Sequence, residues 1–138
     1  NINMLVKKLA KKKFKFNVKF IVKTNNPKSM KKSKLLKNIT VIGKVKNIIT
    51  VLKDTDLAIS ACGGFAYELG YFGIPTIHVT SEKREIERAK FFKKKNLGNF
   101  FYPKSINKIF NEINKIYYEK TYRKILVKNR ISFFKKKK

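Results

Sequence analysis

The sequence is poor in the residues that enzymes use for metal binding and covalent catalysis. Its 138 residues include one cysteine, Cys62, and one histidine, His78. A single cysteine excludes a disulfide within the chain, which fits a reducing compartment. A single histidine leaves no Ser-His-Asp arrangement and no carboxylate cluster accompanies it, so we expect neither a metal site nor a cofactor.

Long apolar runs are also absent. No stretch approaches ~20 apolar residues, so no transmembrane helix is predicted. The N-terminus has no apolar stretch ending in a small-residue cleavage site, so no signal peptide is predicted. Together with the single cysteine, these features predict a cytoplasmic protein. The chain begins with Asn1 rather than Met, so we expect it to be a fragment.

Acidic residues are scarce, with 8 Asp and Glu against 35 Lys and Arg, for a net charge of +27. Such a field attracts nucleic acid, anionic lipid or phosphorylated ligands. The alternative is compositional drift, because most basic residues are lysine, and Lys, Asn and Ile share A/T-rich codons. The lysines are scattered over every segment, which argues less for a binding stripe than a cluster would. Both explanations stay open.

Hydrophobic residues make up 43% of the chain, including twelve Phe and six Tyr, which is enough to bury a core. We expect a single domain over 1–138, with a basic tail over 132–138. Apolar alternation predicts strands over 16–23, 39–43, 56–60, 76–80 and 99–102. Helical spacing predicts helices over 4–13, 30–37, 47–55, 65–72, 82–95, 105–117 and 121–131. Alternating strands and helices predict an α/β fold, a Rossmann-like parallel sheet with crossover helices.

Local signals mark the ends of several helices. Gly73 is the predicted C-cap of the helix over 65–72, and Pro75 prevents its continuation. Ser81 is the predicted N-cap of the next helix. The helix over 105–117 has the clearest amphipathic pattern. Its predicted core face consists of Ile106, Ile109, Phe110, Ile113, Ile116 and Tyr117.

The stretch "ISACGGFAYELGYFGIP", residues 59–75, joins a buried strand to a helix through Gly63 and Gly64. Ligands of open parallel sheets bind beyond the carboxyl ends of the strands. Glycines let the backbone approach a ligand, and the first amides of the helix suit a phosphate or diphosphate. Glu68 can accept hydrogen bonds from a ribose diol. Alternatively, the two glycines only pack a tight turn. The stretch matches neither G-x-G-x-x-G nor G-x-x-x-x-G-K-[ST], which disfavours ordinary NAD or P-loop binding.

The segment "DTDLAISACGGFAYELGYFGIPTIHV" resembles the donor-binding segment of the C-terminal half of GT-B glycosyltransferases. It is most similar to the family-28-like group, which includes the peptidoglycan N-acetylglucosaminyl transferase and the UDP-sugar hydrolases of pseudaminic acid and spore-coat polysaccharide synthesis. The matching residues are Asp56, Leu57, Ile59, Ser60, Gly63, Gly64, Tyr67, Glu68, Gly73, Pro75 and Thr76. The order of elements is compatible from 16 to 118, and the specific motif spans about 25 residues.

The resemblance implies roles for named residues. The diphosphate would lie on the turn formed by Ala61, Cys62, Gly63, Gly64 and Phe65, and Glu68 would hold the ribose of UDP. His78, Thr80 and Arg84 are candidate contacts to the sugar or phosphate. Phe65 stands where the family often has Ser or Thr, and Glu82-Lys83-Arg84 stands where it usually has Glu-Asn-Gln. For His78, a packed or surface strand histidine is the alternative, and for Cys62 a small buried thiol.

The resemblance also implies that the chain is half of an enzyme. We expect the first strand of the C-terminal domain and the whole N-terminal domain to be missing, and the catalytic residues to be unidentifiable here. The expected partners are a UDP-sugar and the missing domain. The lysines and the tail "FFKKKK" suggest a further partner, an anionic membrane surface at the inner membrane face. The alternative function is a non-enzymatic basic protein that binds nucleic acid or anionic membrane, although no RNA-binding signature is present.

Overall fold

The computed structural model describes residues 2–16, 20–23, 39–42 and 47–135. These residues form a mixed α/β structure whose strands are parallel. Contacts divide the chain into two compact units, Asn1–Thr50 and Val51–Lys138. The predicted helix over 30–37 lies outside the described residues.

The first unit contains one helix and a pair of strands. Helix α1 (Ile2–Ala10) buries Leu5, Val6 and Leu9, as helical spacing predicts. Strands β1 (Phe20–Lys23) and β2 (Ile39–Ile42) pair in parallel. The strands predicted over 16–23 and 39–43 are thus confirmed in their described parts, except that Phe16 lies in a bend before β1.

The second unit is built on a three-stranded parallel sheet in the order β3-β4-β5. The strands are β3 (Ala58–Ser60), β4 (Thr76–Val79) and β5 (Phe100–Phe101), and the central strand β4 is buried at every residue. Ser60 pairs with His78, which pairs in turn with Phe100. The helices are α2 (Ile49–Leu52, at the boundary between the units), α3 (Ala66–Tyr71), α4 (Lys83–Lys94), α5 (Ile106–Tyr118) and α6 (Lys120–Lys135).

Aromatic rings hold the core between the sheet and the helices. Phe92 on α4 is fully buried, and its ring lies 5.6 Å from that of Phe134 on α6, inclined at 70°. Edge-to-face pairs of this kind are favourable beyond the area they bury. The buried cluster around them consists of Cys62, Ala66, Ala89, Phe92, Leu97 and Phe134. Burial of each phenylalanine contributes roughly 2–3 kcal/mol.

Helix α3 ends one residue earlier than predicted, because its C-cap is Phe72 and Gly73 is the residue that follows the cap. Gly73 has a φ of +69°, and its N–H donates to the Gly70 carbonyl over 2.9 Å. The Ile74 N–H donates to the Leu69 carbonyl over 3.1 Å. This pair of hydrogen bonds is the Schellman motif, which favours glycine at the left-handed position.

The start of α4 differs from its prediction. The N-cap is Glu82, not Ser81, and it makes no side-chain capping hydrogen bond. The Glu82 N–H donates instead to Thr80 Oγ1 over 3.1 Å. The hydroxyl that precedes the helix is therefore that of Thr80, which the buried strand β4 holds in position.

The predicted core face of α5 is largely correct. Ile109, Ile113 and Ile116 are buried, but Tyr117 is exposed, contrary to prediction. Helix α6 continues to Lys135, beyond the predicted end at residue 131.

The extension of α6 has a tertiary cause. Phe134 is buried, and a Cβ on Gly70 of α3 would collide with its ring. Because Gly70 has no side chain, the Phe134 ring can pack directly against its backbone. This contact stabilises the last turn of α6. Residues 132–135 of the predicted basic tail consequently belong to a packed helix.

Candidate functional site

The turn over 61–65 follows the carboxyl end of β3. Cys62 has a left-handed backbone conformation, with a φ of 68°, which non-glycine residues rarely adopt. Its N–H donates to Ser60 Oγ over 3.1 Å. The left-handed residue is therefore Cys62, and neither Gly63 nor Gly64 has a positive φ. The Ser60 hydroxyl therefore stabilises the reversal of the chain at Cys62, one residue before the glycines.

The two glycines present free hydrogen-bond donors. Within the described ranges, the backbone N–H groups of Gly63 and Gly64 have no acceptor, while their carbonyls accept from Ala66 and Tyr67. A Cβ on Gly64 would meet no atom within 4 Å, so this position is open. Successive free N–H groups in a turn are suited to binding an anion.

Helix α4 brings one basic and one acidic side chain to this turn. Arg88 Nη1 donates to the Cys62 carbonyl over 3.1 Å, and its guanidinium carbon lies 5.6 Å from the Tyr67 ring centroid. Glu85 Oε2 lies 3.5 Å from where a Cβ of Gly63 would stand. The turn therefore has an arginine and a carboxylate beside its free amides.

Sequence reasoning missed both of these side chains, although a signal was present. Glu85 and Arg88 are three residues apart, a spacing that places them on one face of a helix. Sequence reasoning selected Arg84 instead, on the resemblance alone, and the Arg84 side chain is exposed on another part of the first turn of α4.

Thr80 is a buried residue that contacts the side chains of the site from the interior. Its side chain is buried, and Oγ1 donates to Glu85 Oε1 over 3.3 Å while accepting from the Glu82 N–H. The hydroxyl is therefore engaged in holding Glu85 and the start of α4. This geometry gives Thr80 a positioning role in the site.

The imidazole of His78 lies in the core. The side chain is fully buried, and its ring centroid lies 5.4 Å from that of Phe92. Burial, and after it the positive charge of Arg130, lower the pKa of His78 to about 3. The ring is therefore neutral at pH 7. The packed-histidine alternative is confirmed, and the structure does not bring this side chain to the open part of the turn.

Glu68 is exposed on the first turn of α3, immediately after the glycine turn. Its carboxylate is free to meet a ligand from solvent. The structure thus brings together only part of the predicted site, since the turn over 61–65 and Glu68 belong to the same strand-to-helix connection. Arg84 and His78 lie on other faces.

The Cys62 thiol is inert chemically. Its side chain is fully buried, and burial raises its pKa to about 11. Arg88 and Arg130 lower the pKa, and Glu85 raises it, but burial dominates. The prediction of a small buried thiol is confirmed, and Cys62 contributes to the turn through its backbone.

No set of three His, Cys, Asp or Glu side chains in the described part of the chain is placed to hold a metal ion. Across residues 2–16 and 47–135, none of the helices is both long enough and apolar enough to cross a bilayer.

Comparison with protein-family models gives no match, and comparison with curated proteins gives no relative of significant similarity. The glycosyltransferase resemblance of residues 54–79 therefore stays a prediction, and the geometry of the turn is the basis for assigning a function.

Proposed function

We propose that this chain is the UDP-sugar-binding half of a family-28-like GT-B glycosyltransferase, or of a related UDP-sugar hydrolase. The observation that carries the proposal is the pair of free N–H groups on Gly63 and Gly64 with Arg88 beside them. Backbone amides and a guanidinium are the donors that phosphate oxygens accept best. The diphosphate of a nucleotide-sugar fits this set of donors.

Arg88 has donors to spare for a ligand. A guanidinium carries five N–H groups in a fixed fork, and the hydrogen bond to the Cys62 carbonyl uses one of the Arg88 nitrogens. The same hydrogen bond fixes the side chain against the turn, so little conformational entropy is lost when a phosphate binds. Arg88 thus supplies charge at a position that is set in advance.

The two carboxylates beside the turn suit the uncharged parts of the ligand. Glu68, on the exposed first turn of α3, accepts hydrogen bonds from the ribose hydroxyls in this proposal. Glu85, next to Gly63, accepts from a sugar hydroxyl. Carboxylates at both ends favour a ligand whose phosphates are flanked by hydroxyl groups, since extra negative charge would be repelled.

Under this proposal, the protein acts in the synthesis of cell-envelope or surface polysaccharide, in the cytoplasm or at the inner membrane face. An N-terminal GT-B domain would supply the acceptor site and the catalytic base. This chain alone is expected to bind nucleotide-sugar without turning it over.

Calorimetric titration of UDP, UDP-N-acetylglucosamine and ADP tests the proposal. The titrations are run at about 0.3 M salt, where attraction by exposed charge is largely screened. We expect both uridine ligands to bind more tightly than ADP, and Glu68→Ala to abolish that binding. Glu87→Ala, which removes an exposed acid from α4, is the matched control. Equal weak binding of all three ligands, unchanged by Glu68→Ala, would refute the proposal.

A second candidate function rests on exposed aromatic side chains that lie beside cations. Phe91 is 42% exposed, with Lys95 Nζ 5.8 Å from its ring centroid, and Tyr67 is 47% exposed beside Arg88. Such a surface favours binding to an anionic membrane or to single-stranded nucleic acid. Sedimentation with phosphatidylglycerol vesicles and titration of a single-stranded RNA test it. At about 0.1 M salt, Phe91→Ser should weaken binding to the vesicles or to the RNA. Unchanged binding to both would exclude this candidate function.

A further inference from the structure

A cavity of about 290 Å³ lies where the end of α4 meets helices α5 and α6. Two lysines, three asparagines and several apolar side chains line it. Its volume is close to that of the smallest ligand pockets in proteins, roughly 300 Å³. The cavity is therefore large enough for a compact organic ligand.

This cavity lies at the opposite edge of the sheet from the glycine turn. Gly98 and Asn99 line it and directly precede β5, whereas the turn over 61–65 directly follows β3. Because the three strands are parallel, their amino ends meet at one edge and their carboxyl ends at the other. A ligand here would not occupy the position proposed for the diphosphate.

Two neighbouring side chains of α6 fix the loop that forms one wall of the cavity. Asn129 Nδ2 donates to the Asn96 carbonyl over 3.1 Å, and Arg130 Nη1 donates to the Leu97 carbonyl. The loop between α4 and β5 is thus held in place in the absence of a ligand. A preformed wall reduces the conformational entropy that is lost on binding.

The lining of the cavity is positively charged. Lys93 of α4 and Lys115 of α5 line it, and its described lining residues include no Asp or Glu. Within the described part of the chain, neither ammonium group forms an ion pair. Two such charges favour a dianion over a monoanion. A phosphate monoester carries a charge of about −1.5 to −2 at neutral pH.

A carboxylate behind this wall already has hydrogen-bond partners. Glu112 Oε2 accepts from the Tyr122 hydroxyl over 2.6 Å and from Asn99 Nδ2 over 2.8 Å. Tyr122 and Asn99 line the cavity, whereas Glu112 does not. The two hydrogen bonds partly neutralise the carboxylate, and they also fix the side chains of Tyr122 and Asn99 against the cavity.

The remaining lining suits the uncharged part of a ligand. Leu126 is buried and Ile125 is 51% exposed, and together with the Tyr122 ring they form an apolar wall. Lys115 Nζ lies 4.3 Å from the centroid of that ring, so a cation adjoins the apolar wall. This arrangement favours a ligand whose phosphate is attached to a small apolar group.

We propose that this cavity is a binding site for a phosphate monoester that carries a compact apolar group. Lys93 and Lys115 bind the phosphate as point charges. The Tyr122 ring, Ile125 and Leu126 contact the apolar group. The site is independent of the proposed nucleotide function, because it uses none of the residues of the glycine turn.

Titration of phenyl phosphate into the isotope-labelled chain, followed by heteronuclear NMR, tests the proposal. The titration is run at about 0.3 M salt, which screens attraction by the net charge. Benzoate keeps the ring but carries a single charge, and inorganic phosphate keeps the charge but has no ring. We expect phenyl phosphate to bind most tightly and to shift the amide resonances of residues 96–99.

Three results of this titration would overturn the proposal. The first is an absence of binding by phenyl phosphate. The second is an affinity for benzoate or inorganic phosphate equal to that for phenyl phosphate. The third is a set of shifts confined to the amides of Gly63 and Gly64, which would place the ligand at the glycine turn.

Lys93→Gln removes one of the two charges from an exposed position, so the variant should fold normally. Lys94→Gln is the matched control, because Lys94 is exposed on the same helix and does not line the cavity. We expect the Kd for phenyl phosphate to rise about three- to fivefold in Lys93→Gln, as loss of an exposed ion pair predicts. Equal rises in both variants would overturn the site.

Ile125→Ser tests the apolar wall separately from the charge. Because the Ile125 side chain is exposed, this substitution should leave the fold intact. We expect the affinity for phenyl phosphate to fall while that for inorganic phosphate stays the same. An unchanged affinity for phenyl phosphate would overturn the apolar part of the site.

Discussion

Arg88 and Cys62 are 26 residues apart in sequence, and the Arg88 guanidinium donates a hydrogen bond to the Cys62 carbonyl over 3.1 Å. This contact ties α4 to the turn at Cys62, whose backbone conformation is left-handed. A hydrogen bond from a charged donor contributes about 1.5–3 kcal/mol. It therefore helps to stabilise the conformation that presents the amides of Gly63 and Gly64.

Replacement of Arg88 by Met should weaken UDP binding about tenfold, because a charged donor beside the diphosphate is lost. Arg84→Met makes the same change of charge at an exposed position on the same helix. We expect its affinity to equal that of the parent chain. The measurement is calorimetric titration at about 0.3 M salt. Equal losses in both variants would indicate long-range attraction by net charge in place of a direct contact.

Gly64→Ala separates ligand binding from folding. A Cβ at this position meets no protein atom within 4 Å, so stability should change by less than about 0.5 kcal/mol. The new methyl group stands where a diphosphate would approach, and UDP affinity should fall.

Gly98→Ala is the contrasting variant, measured by urea denaturation. Gly98 has a φ of +138°, and a Cβ there would collide with the Thr76 carbonyl oxygen. We expect Gly98→Ala to lower the free energy of unfolding by at least about 2 kcal/mol. If Gly64→Ala retained full affinity for UDP, close approach of the ligand to this turn would be excluded.

His78 should make folding sensitive to acid. Its pKa is about 3 in the folded chain and 6.5 in the unfolded chain, so below pH 6.5 the unfolded state binds the extra proton. Its contribution is fully present above pH 6.5 and is lost as the pH falls toward 3. The free energy of unfolding should therefore fall by up to about 1.4 kcal/mol per pH unit in this window.

His78→Leu removes the titrating group and keeps a side chain of similar size. Urea denaturation between pH 4 and 7 should show a shallower pH dependence for this variant than for the parent chain. Parallel curves for the two proteins would show that His78 does not cause the acid sensitivity.

Tyr122 stabilises a buried carboxylate. Its hydroxyl donates to Glu112 Oε2 over 2.6 Å, and Asn99 Nδ2 donates to the same oxygen over 2.8 Å. Glu112 is buried, so Tyr122→Phe should cost roughly 1.5–3 kcal/mol in urea denaturation. Tyr102→Phe, at an exposed tyrosine, should change stability by less than about 0.5 kcal/mol. Similar values for both variants would contradict the role of the hydroxyl.

Local patterns predicted the elements that depend on neighbouring residues. The parallel strands β3 and β4, the amphipathic face of α5 and the glycine end of α3 follow from apolar spacing and turn residues. Predictions failed where a distant contact decides the outcome. Phe134 extends α6 because it packs on Gly70, and Thr80 replaces Ser81 at the start of α4 because β4 holds its hydroxyl in place.

The sequence by itself determined an α/β chain with a glycine turn between a strand and a helix, although that strand, β3, is half-buried and not buried as predicted. Apolar periodicity and the residues that end helices act over a few positions, so they can be recognised without a structure. Only the tertiary structure decided which charged side chains meet that turn. Arg88 reaches Cys62 across 26 residues, and Arg130 reaches Leu97 across 33. Such pairings depend on how helices pack against the sheet, because packing brings together residues that no local pattern connects.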